Sequence, residues 1–165
     1  MPILDNRLFE FFSYSPDQTR RLGIRLGRYL SSGDTVCLEG NLGSGKTTLV
    51  QGIAQGWGAL DPVTSPTYMI VNEYRRADAQ RMYHMDAYRL SNAYDAEILD
   101  FDRTLPQGPI VIEWPERIQE SLPKRYLWVK ITFTGMEHRA MLLTPSGKHY
   151  ESIIENIRRK LYGEF

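Results

Sequence analysis

The sequence predicts a single α/β domain with three layers, in which helices cover both faces of a mixed β-sheet. Two short apolar runs, residues 36–38 and 110–112, are typical of strands that are buried on both faces. Amphipathic helical patterns alternate with such runs, and this order favours parallel strands that are joined by helices. Two further strand-like segments flank the polar residues 76–80, which indicates a hairpin and therefore a mixed sheet.

Length and composition agree with one domain. The chain has 165 residues, of which 42% are apolar and 24% are charged, and a chain of this size can bury roughly 70% of its unfolded surface. Twenty Lys and Arg balance twenty Asp and Glu, which argues against a dedicated nucleic-acid-binding surface. The single cysteine excludes an intrachain disulfide, and no run approaches the roughly 18 apolar residues of a membrane span. We therefore expect residues 1–165 to form one cytoplasmic domain without membrane contact.

The first helix should begin after Ser15, whose side chain can cap it. Pro16 suits the first helical position, and Gln18 completes a capping box. Apolar residues then recur at helical spacing as far as Leu30. Gly33 is a natural stop for this helix.

A buried strand at residues 35–39 and a second helix at residues 46–57 follow in the chain. Cys37 in the strand is interpreted as a small core residue. Gly52 and Gly56 lie within the helix, where each costs about 1 kcal/mol relative to alanine. This cost suggests that the glycines allow the helix to pack closely against the sheet.

The rest of the chain predicts further strands and two helices. The strands are expected at residues 68–74, 81–88, 110–112, 126–132 and 139–143, and the helices at residues 93–99 and 150–161. The last helix carries apolar residues on one face and cations near its end, as the helix dipole favours.

Residues 40–47, with the sequence GNLGSGKT, match the pattern G-x-x-x-x-G-K-[ST]. This segment follows a predicted strand and opens a predicted helix, so its backbone amides and the helix N-terminus can bind phosphate. Lys46 adds a full positive charge for the β- and γ-phosphates, and Thr47 can place its hydroxyl on Mg²⁺. The segment therefore predicts a nucleotide-binding site.

Three other elements could complete this site. Glu113 ends an apolar strand at the carboxyl edge of the sheet, where a carboxylate can hold Mg²⁺. His84 and Asp86 share one face of a strand, either as a metal pair or as a hydrogen-bonded pair, and Asp86 alone is a candidate metal or water ligand. The loop 64–67 contains three hydroxyls and a proline; it is either an ordinary turn or a switch-like segment that reaches the γ-phosphate.

Four blocks of the sequence together resemble the bacterial TsaE family, the small P-loop ATPases of tRNA threonylcarbamoyladenosine synthesis. The blocks are residues 39–48, 65–68, 83–90 and 112–114. Phosphate loops occur in very many proteins, but the combination of all four blocks in this order is specific. The resemblance implies a P-loop NTPase-like fold that binds ATP and Mg²⁺.

The resemblance also assigns roles to individual residues. The expected nucleotide-binding residues are Asn41, Leu42, Gly43, Ser44, Gly45, Lys46, Thr47, Thr48, Thr19 and Trp114. The expected catalytic residues are Lys46, Asp86, Glu113 and Thr67, and the expected metal ligands are Thr47, Glu113 and Asp86. Asn41 and Ser44 stand where the family often has Asp and Ala, but the phosphate cradle needs neither side chain. Trp114 is core, a nucleotide wall or a docking residue, and Thr19 lies near the adenine or is an ordinary helix hydroxyl.

The expected activity is attack of water on the γ-phosphate of MgATP. The resemblance implies that TsaB- and TsaD-type proteins are partners and that tRNA is contacted only indirectly. No arginine is clearly placed to assist the reaction, although Arg89 is a candidate. We therefore expect slow turnover by the isolated chain and faster turnover with its partners.

Three other functions compete with this interpretation. A P-loop kinase of a small metabolite would phosphorylate an acceptor molecule, and a non-catalytic regulator would use the nucleotide only to set its shape. A protein that binds tRNA directly is disfavoured because the balanced charge provides no long-range attraction for nucleic acid.

Overall fold

The computed structural model describes residues 7–41, 43–64, 71–88, 90 and 100–163. The strands and helices in these residues are, in chain order, β1 (Phe9–Ser13), α1 (Pro16–Gly27), β2 (Thr35–Glu39), α2 (Lys46–Trp57), β3 (Val71–Arg75), β4 (Arg81–Asp86), α3 (Phe101–Thr104), β5 (Ile110–Glu113), β6 (Leu127–Gly135), β7 (His138–Pro145) and α4 (Lys148–Arg158). Two 3₁₀ turns, Leu105–Gln107 and Pro115–Ser121, flank β5, and a π-helical turn, Arg159–Gly163, follows α4. None of these helices is long and apolar enough to cross a membrane.

The strands form one mixed sheet in the order β1-β7-β6-β2-β5-β4-β3 within the described residues. The four central strands, β6, β2, β5 and β4, are parallel to one another. β7 and β1 extend the sheet in antiparallel fashion on one side, and β3 does so on the other. The predicted mixed α/β sheet is therefore confirmed, with the apolar strands β2 and β5 adjacent at its centre.

Helical segments cover both faces of this sheet, as the sequence predicts. α1, α2 and α4 pack on the face that presents Val36, Leu38 and Val111. The opposite face, which presents Ile110 and Ile112, packs against residues of α3 and the two 3₁₀ turns. Because α2 lies on the first face, the side chains of β4 and β5 on that face can meet the residues at the start of α2.

α1 begins as predicted but ends earlier than predicted. The Ser15 hydroxyl accepts a hydrogen bond from the Gln18 N–H at 3.2 Å, and Gln18 Oε1 accepts one from the Tyr14 N–H at 2.7 Å. The helix ends at Gly27 instead of Gly33. The next turn tightens, because its backbone hydrogen bonds span three residues instead of four.

The interpretation of the glycines in α2 needs a correction, because they face α1 and not the sheet. A Cβ on Gly52 would lie 2.2 Å from the Arg20 carbonyl oxygen, and one on Gly56 would lie 2.0 Å from the Ile24 carbonyl oxygen. Gly23 and Gly27 of α1 approach the backbone of α2 in the same way. The glycines therefore allow the two helix backbones to touch.

Replacement of Gly56 by alanine should destabilise the fold. The new Cβ would meet backbone atoms of α1, so the helices would have to separate, and overpacking of this kind costs about 1–3 kcal/mol even though alanine favours a helix. Urea denaturation would measure the loss. Gly135→Ala is the control, because the nearest atom to its Cβ would be 4.0 Å away. Equal unfolding midpoints for both variants would contradict the prediction.

The other predicted elements mostly differ at their ends. The strands predicted at 68–74 and 81–88 are observed as β3 and β4, and the final helix begins at Lys148 and remains α-helical to Arg158. The predicted helix at 93–99 lies outside the described residues. The sequence analysis missed β1, α3 and the 3₁₀ turns, because segments this short give little periodic signal.

Candidate functional site

The phosphate loop connects β2 to α2, and α2 begins at Lys46 as predicted. Gly43 has a φ of +77° and Gly45 a φ of +105°, values that glycine adopts without a steric penalty. The Ser44 N–H donates to the Asn41 carbonyl at 3.0 Å and so closes a turn within the loop. These conformations allow the loop to turn between the end of β2 and the N-terminus of α2. Leu42 lies outside the described residues.

Lys46 is folded back over this loop. Its side chain is buried, and Nζ donates hydrogen bonds to the carbonyl oxygens of Gly40 and, at 3.3 Å, Asn41. Burial lowers the pKa of Lys46 from its usual value, while the negative charges of Glu113 and other nearby carboxylates oppose that shift. The ammonium group thus occupies the loop interior, where a phosphate would offer it stronger, charged acceptors.

A cavity of about 430 Å³ lies beside the loop. It is lined by Gly43, Ser44, Gly45, Lys46, Thr47, Thr48, Asp86, Glu113, Trp114 and Arg139. The two carboxylates meet there because β4 and β5 are parallel neighbours with Asp86 opposite Glu113 in the register. The structure therefore brings both acidic candidates together with Thr47.

The donors that line this cavity fit Mg²⁺, which prefers oxygen ligands and retains several waters when it binds to proteins. They are the Thr47 hydroxyl and the carboxylates of Asp86 and Glu113. The described residues contain no group of three or more His, Cys, Asp or Glu side chains that could hold an ion. An ion bound here would therefore draw its other ligands from water or from phosphate oxygens.

His84 forms neither of the two pairs with Asp86 that the sequence suggested. Its Nε2 lies 2.6 Å from Glu113 Oε2, and its Nδ1 lies 2.8 Å from the Tyr74 hydroxyl. Asp86 instead accepts a hydrogen bond from the Tyr88 N–H at 2.9 Å. The histidine therefore contacts a metal-ligand candidate on the neighbouring strand, which its position in the sequence did not indicate.

Trp114 follows Glu113 with a φ of +57°, which is uncommon for a residue other than glycine. This turn places the Trp114 ring 4.3 Å from Lys46 Nζ and 4.9 Å from the Tyr88 ring, measured between ring centroids in the second case. Trp114 lines the 430 Å³ cavity and also a neighbouring cavity of about 720 Å³. The half-buried ring also packs against the apolar cluster that contains Ile112, so Trp114 is both a wall of the cavities and an edge of the core.

Thr19 lies beside the loop but outside the 430 Å³ cavity. Its hydroxyl is 2.7 Å from the Ser13 hydroxyl, and it lines a cavity of about 60 Å³ together with Gly45 and Thr48. The plainer interpretation, a helix hydroxyl with a local partner, describes its observed contacts. The other sequence-based candidates, Thr67 and Arg89, lie outside the described residues.

Arg139 of β7 is a site residue that sequence reasoning missed. Its Nε donates to the Ser44 carbonyl at 2.8 Å, and its Nη2 donates to the Gly43 carbonyl at 3.3 Å. These bonds tie β7 to the loop and fix the positions of the Gly43 and Ser44 carbonyls. The residue lies 95 positions from Ser44 in the chain, and no local motif marks it.

The phosphate loop at the start of α2 and the two strand-end carboxylates beside it define a P-loop protein of the α/β class. Comparison with known families identifies which one. Residues 13–141 match the model of the family described as "Threonylcarbamoyl adenosine biosynthesis protein TsaE", and the chain belongs to this family.

Individual relatives agree over most of the chain. The protein named "tRNA threonylcarbamoyladenosine biosynthesis protein TsaE" of Bacillus subtilis (strain 168) is 35% identical over 146 residues, which cover 88% of this chain and 90% of the relative. The protein of the same name from Streptomyces coelicolor is 44% identical over 114 residues, which cover 68% and 77%. The crystal structure of Bacillus subtilis YdiB superposes with a TM-score of 0.77 at 30% identity, covering 93% of this chain and 95% of YdiB.

Proposed function

We propose that this protein is the ATP-hydrolysing component of tRNA threonylcarbamoyladenosine synthesis. The observation that carries the proposal is that one cavity beside the phosphate loop is lined by Lys46, Thr47, Asp86 and Glu113 together. Membership of the TsaE family and the names of its relatives support the pathway.

The nucleotide is held chiefly through its phosphates. The backbone amides of the phosphate loop and the N-terminus of α2 bind the β- and γ-phosphates. Lys46 then donates to phosphate oxygens in place of the Gly40 and Asn41 carbonyls. Trp114 forms one wall of the site. Asp86 and Glu113 line the same cavity as the phosphate loop, so a γ-phosphate bound there would lie near both carboxylates.

Mg²⁺ would be held by Thr47, Asp86 and Glu113 together with phosphate oxygens and water. When bound, it offsets the negative charge that develops on the phosphates during transfer. Catalysis by the chain's own residues then consists of positioning and charge stabilisation.

The reaction is the attack of a water oxygen on the γ-phosphorus, with loss of the bond to the β–γ bridging oxygen. Asp86 or Glu113 accepts a hydrogen bond from the attacking water and orients it, and Lys46 stabilises the charge on the departing and transferred oxygens. Thr67 remains a catalytic candidate from the sequence alone, since it lies outside the described residues. The products are ADP and inorganic phosphate.

TsaB- and TsaD-type proteins are the proposed partners. In this assignment the TsaD-type protein transfers the threonylcarbamoyl group to tRNA, and ATP hydrolysis by this chain supports repeated rounds. The chain has no excess of positive charge, so its contact with tRNA is indirect.

Substitution of the two carboxylates tests the proposal. Asp86→Asn and Glu113→Gln should each lower Mg²⁺-dependent ATP turnover by about 100-fold or more, because each removes a charged ligand from the metal and the water. Affinity for ADP without Mg²⁺ should change only slightly, because the amides and Lys46 remain. Glu73→Gln is the control, since this exposed carboxylate pairs with Arg81 at 2.6 Å. Unchanged turnover in both site variants would refute the proposed mechanism.

A further inference from the structure

Glu113 is connected to the segment before β3 by a chain of side-chain hydrogen bonds. Glu113 Oε2 lies 2.6 Å from His84 Nε2, and His84 Nδ1 lies 2.8 Å from the Tyr74 hydroxyl. The Tyr74 hydroxyl also lies 3.1 Å from the Thr64 carbonyl oxygen. The chain thus crosses three adjacent strands, from β5 through β4 to β3, and ends at the start of the hydroxyl-rich loop.

The direction of the bond to Glu113 follows from the chemistry of its partners. An ionised carboxylate only accepts hydrogen bonds, so the proton between Glu113 and His84 belongs to Nε2. The Tyr74 hydroxyl has a single proton, so it donates either to Nδ1 or to the Thr64 carbonyl, and when it donates to Thr64 it accepts from Nδ1–H. In both cases the hydroxyl fixes the plane of the imidazole ring. Carboxylates that bind metals are commonly held in place by hydrogen bonds from neighbouring groups, and His84 supplies such a bond to Glu113.

The environment makes this arrangement stiff. The His84 side chain is fully buried, and Glu113 is only 5% exposed although it lines the cavity. Water therefore cannot easily replace the imidazole as a partner for Oε2, and an unpaired buried carboxylate oxygen would be costly. With Oε2 committed to His84, Oε1 is the oxygen of Glu113 that can serve a ligand in the cavity.

We propose that His84, oriented by Tyr74, is a positioning residue that holds the Glu113 carboxylate with one oxygen directed to the metal and the nucleotide. This inference rests on the proposed function, because it concerns the same site.

A purely structural role for His84 is the alternative, and it predicts a different result. A buried histidine that only fills space would affect the stability of the protein but not the turnover of the molecules that remain folded. A positioning residue should lower kcat while leaving the KM for ATP nearly unchanged, because the amides and Lys46 bind the phosphates without its help.

Three substitutions of His84 separate these roles in the full-length protein. In His84→Gln, the side-chain amide can replace Nε2 as a donor to Glu113, whereas His84→Asn replaces only Nδ1 and His84→Phe replaces neither. We expect His84→Asn and His84→Phe to lower kcat by about 10–100-fold, with the KM for ATP within about threefold, and His84→Gln to restore most of the loss. Turnover is compared at a temperature at which circular dichroism shows every variant to be folded.

Tyrosine substitutions supply a matched control. Tyr74→Phe removes the hydroxyl that orients His84 and should lower kcat in the same way but less strongly. Tyr83→Phe removes a hydroxyl on the same sheet that donates to Gln107 Oε1 at 2.9 Å, away from the site, and should leave kcat unchanged. Wild-type kcat in folded His84→Asn and His84→Phe, or equal losses in the two tyrosine variants, would overturn the inference.

A measurement that does not depend on hydrolysis separates this inference from the proposed function. The ¹⁵N signal of the His84 side chain should shift on addition of MgADP, shift less with ADP alone, and lose this difference in Glu113→Gln. If wild-type protein bound MgADP without any such shift, the positioning role of His84 would be wrong, but the proposal that the protein binds nucleotide would remain supported. If the shift occurred but no ATP were hydrolysed alone or with partners, the ATPase assignment would be wrong and the positioning of Glu113 would stand.

Discussion

Replacement of Lys46 by alanine is expected to lower the yield to about one modified tRNA for each molecule of the TsaD-type transferase. Lys46 supplies the full positive charge at the loop interior, and its ammonium group is already directed there by the carbonyls of Gly40 and Asn41. Removal of one preorganised donor of this kind typically costs about 10²–10³ in rate. The backbone amides remain in the variant, so the fold and a weak affinity for nucleotide should persist.

The measurement is a reconstitution with TsaB- and TsaD-type proteins, tRNA and ATP, in which product is counted over several transferase equivalents. Lys148→Ala is the matched control, because it removes a lysine charge at the start of α4, away from the loop. A Lys46→Ala protein that supports as many rounds as the wild type would show that ATP binding at this loop is not required for the proposed role.

The parts of the site that the sequence predicted are those whose residues are contiguous. The loop, the preceding strand and the following helix are specified within residues 35–57, and β2 and α2 begin and end at the predicted residues. Local chemistry suffices there, because Gly43 and Gly45 determine the turn and Lys46 opens the helix. The position of Glu113 at the end of β5 was also predictable, because ligands of α/β sheets bind at the carboxyl edge of the strands.

The parts that the sequence did not predict depend on strand order and on contacts between distant residues. The bond between His84 and Glu113 requires β4 to be the neighbour of β5, and nothing in either segment specifies this neighbour. Arg139 contacts the loop from β7, 95 positions from Ser44 in the chain, and no local pattern indicates that contact. Similarly, the spacing of Gly52 and Gly56 indicated close packing of α2, but it did not indicate that the packing partner is α1.

Isolated protein is expected to hydrolyse ATP slowly because its own cations are already engaged. Among the described residues, one arginine, Arg139, lines the cavity. Its Nε and Nη2 donate to the carbonyls of Ser44 and Gly43, and its Nη1 donates to those of Met136 and His138. The guanidinium group therefore supports the loop and is not directed at the γ-phosphate. Lys46 is left as the cation in the cavity that can stabilise the developing charge.

Addition of the TsaB- and TsaD-type partners should therefore raise the kcat for ATP. An arginine supplied by a partner protein is worth about 10³–10⁵ in rate in other nucleoside triphosphatases, and a stimulation in this range would indicate such a contribution. The comparison uses saturating ATP and Mg²⁺, with the Lys46→Ala protein in the same mixture to subtract hydrolysis by the partners. Equal kcat values for the isolated protein and the mixture would contradict partner dependence.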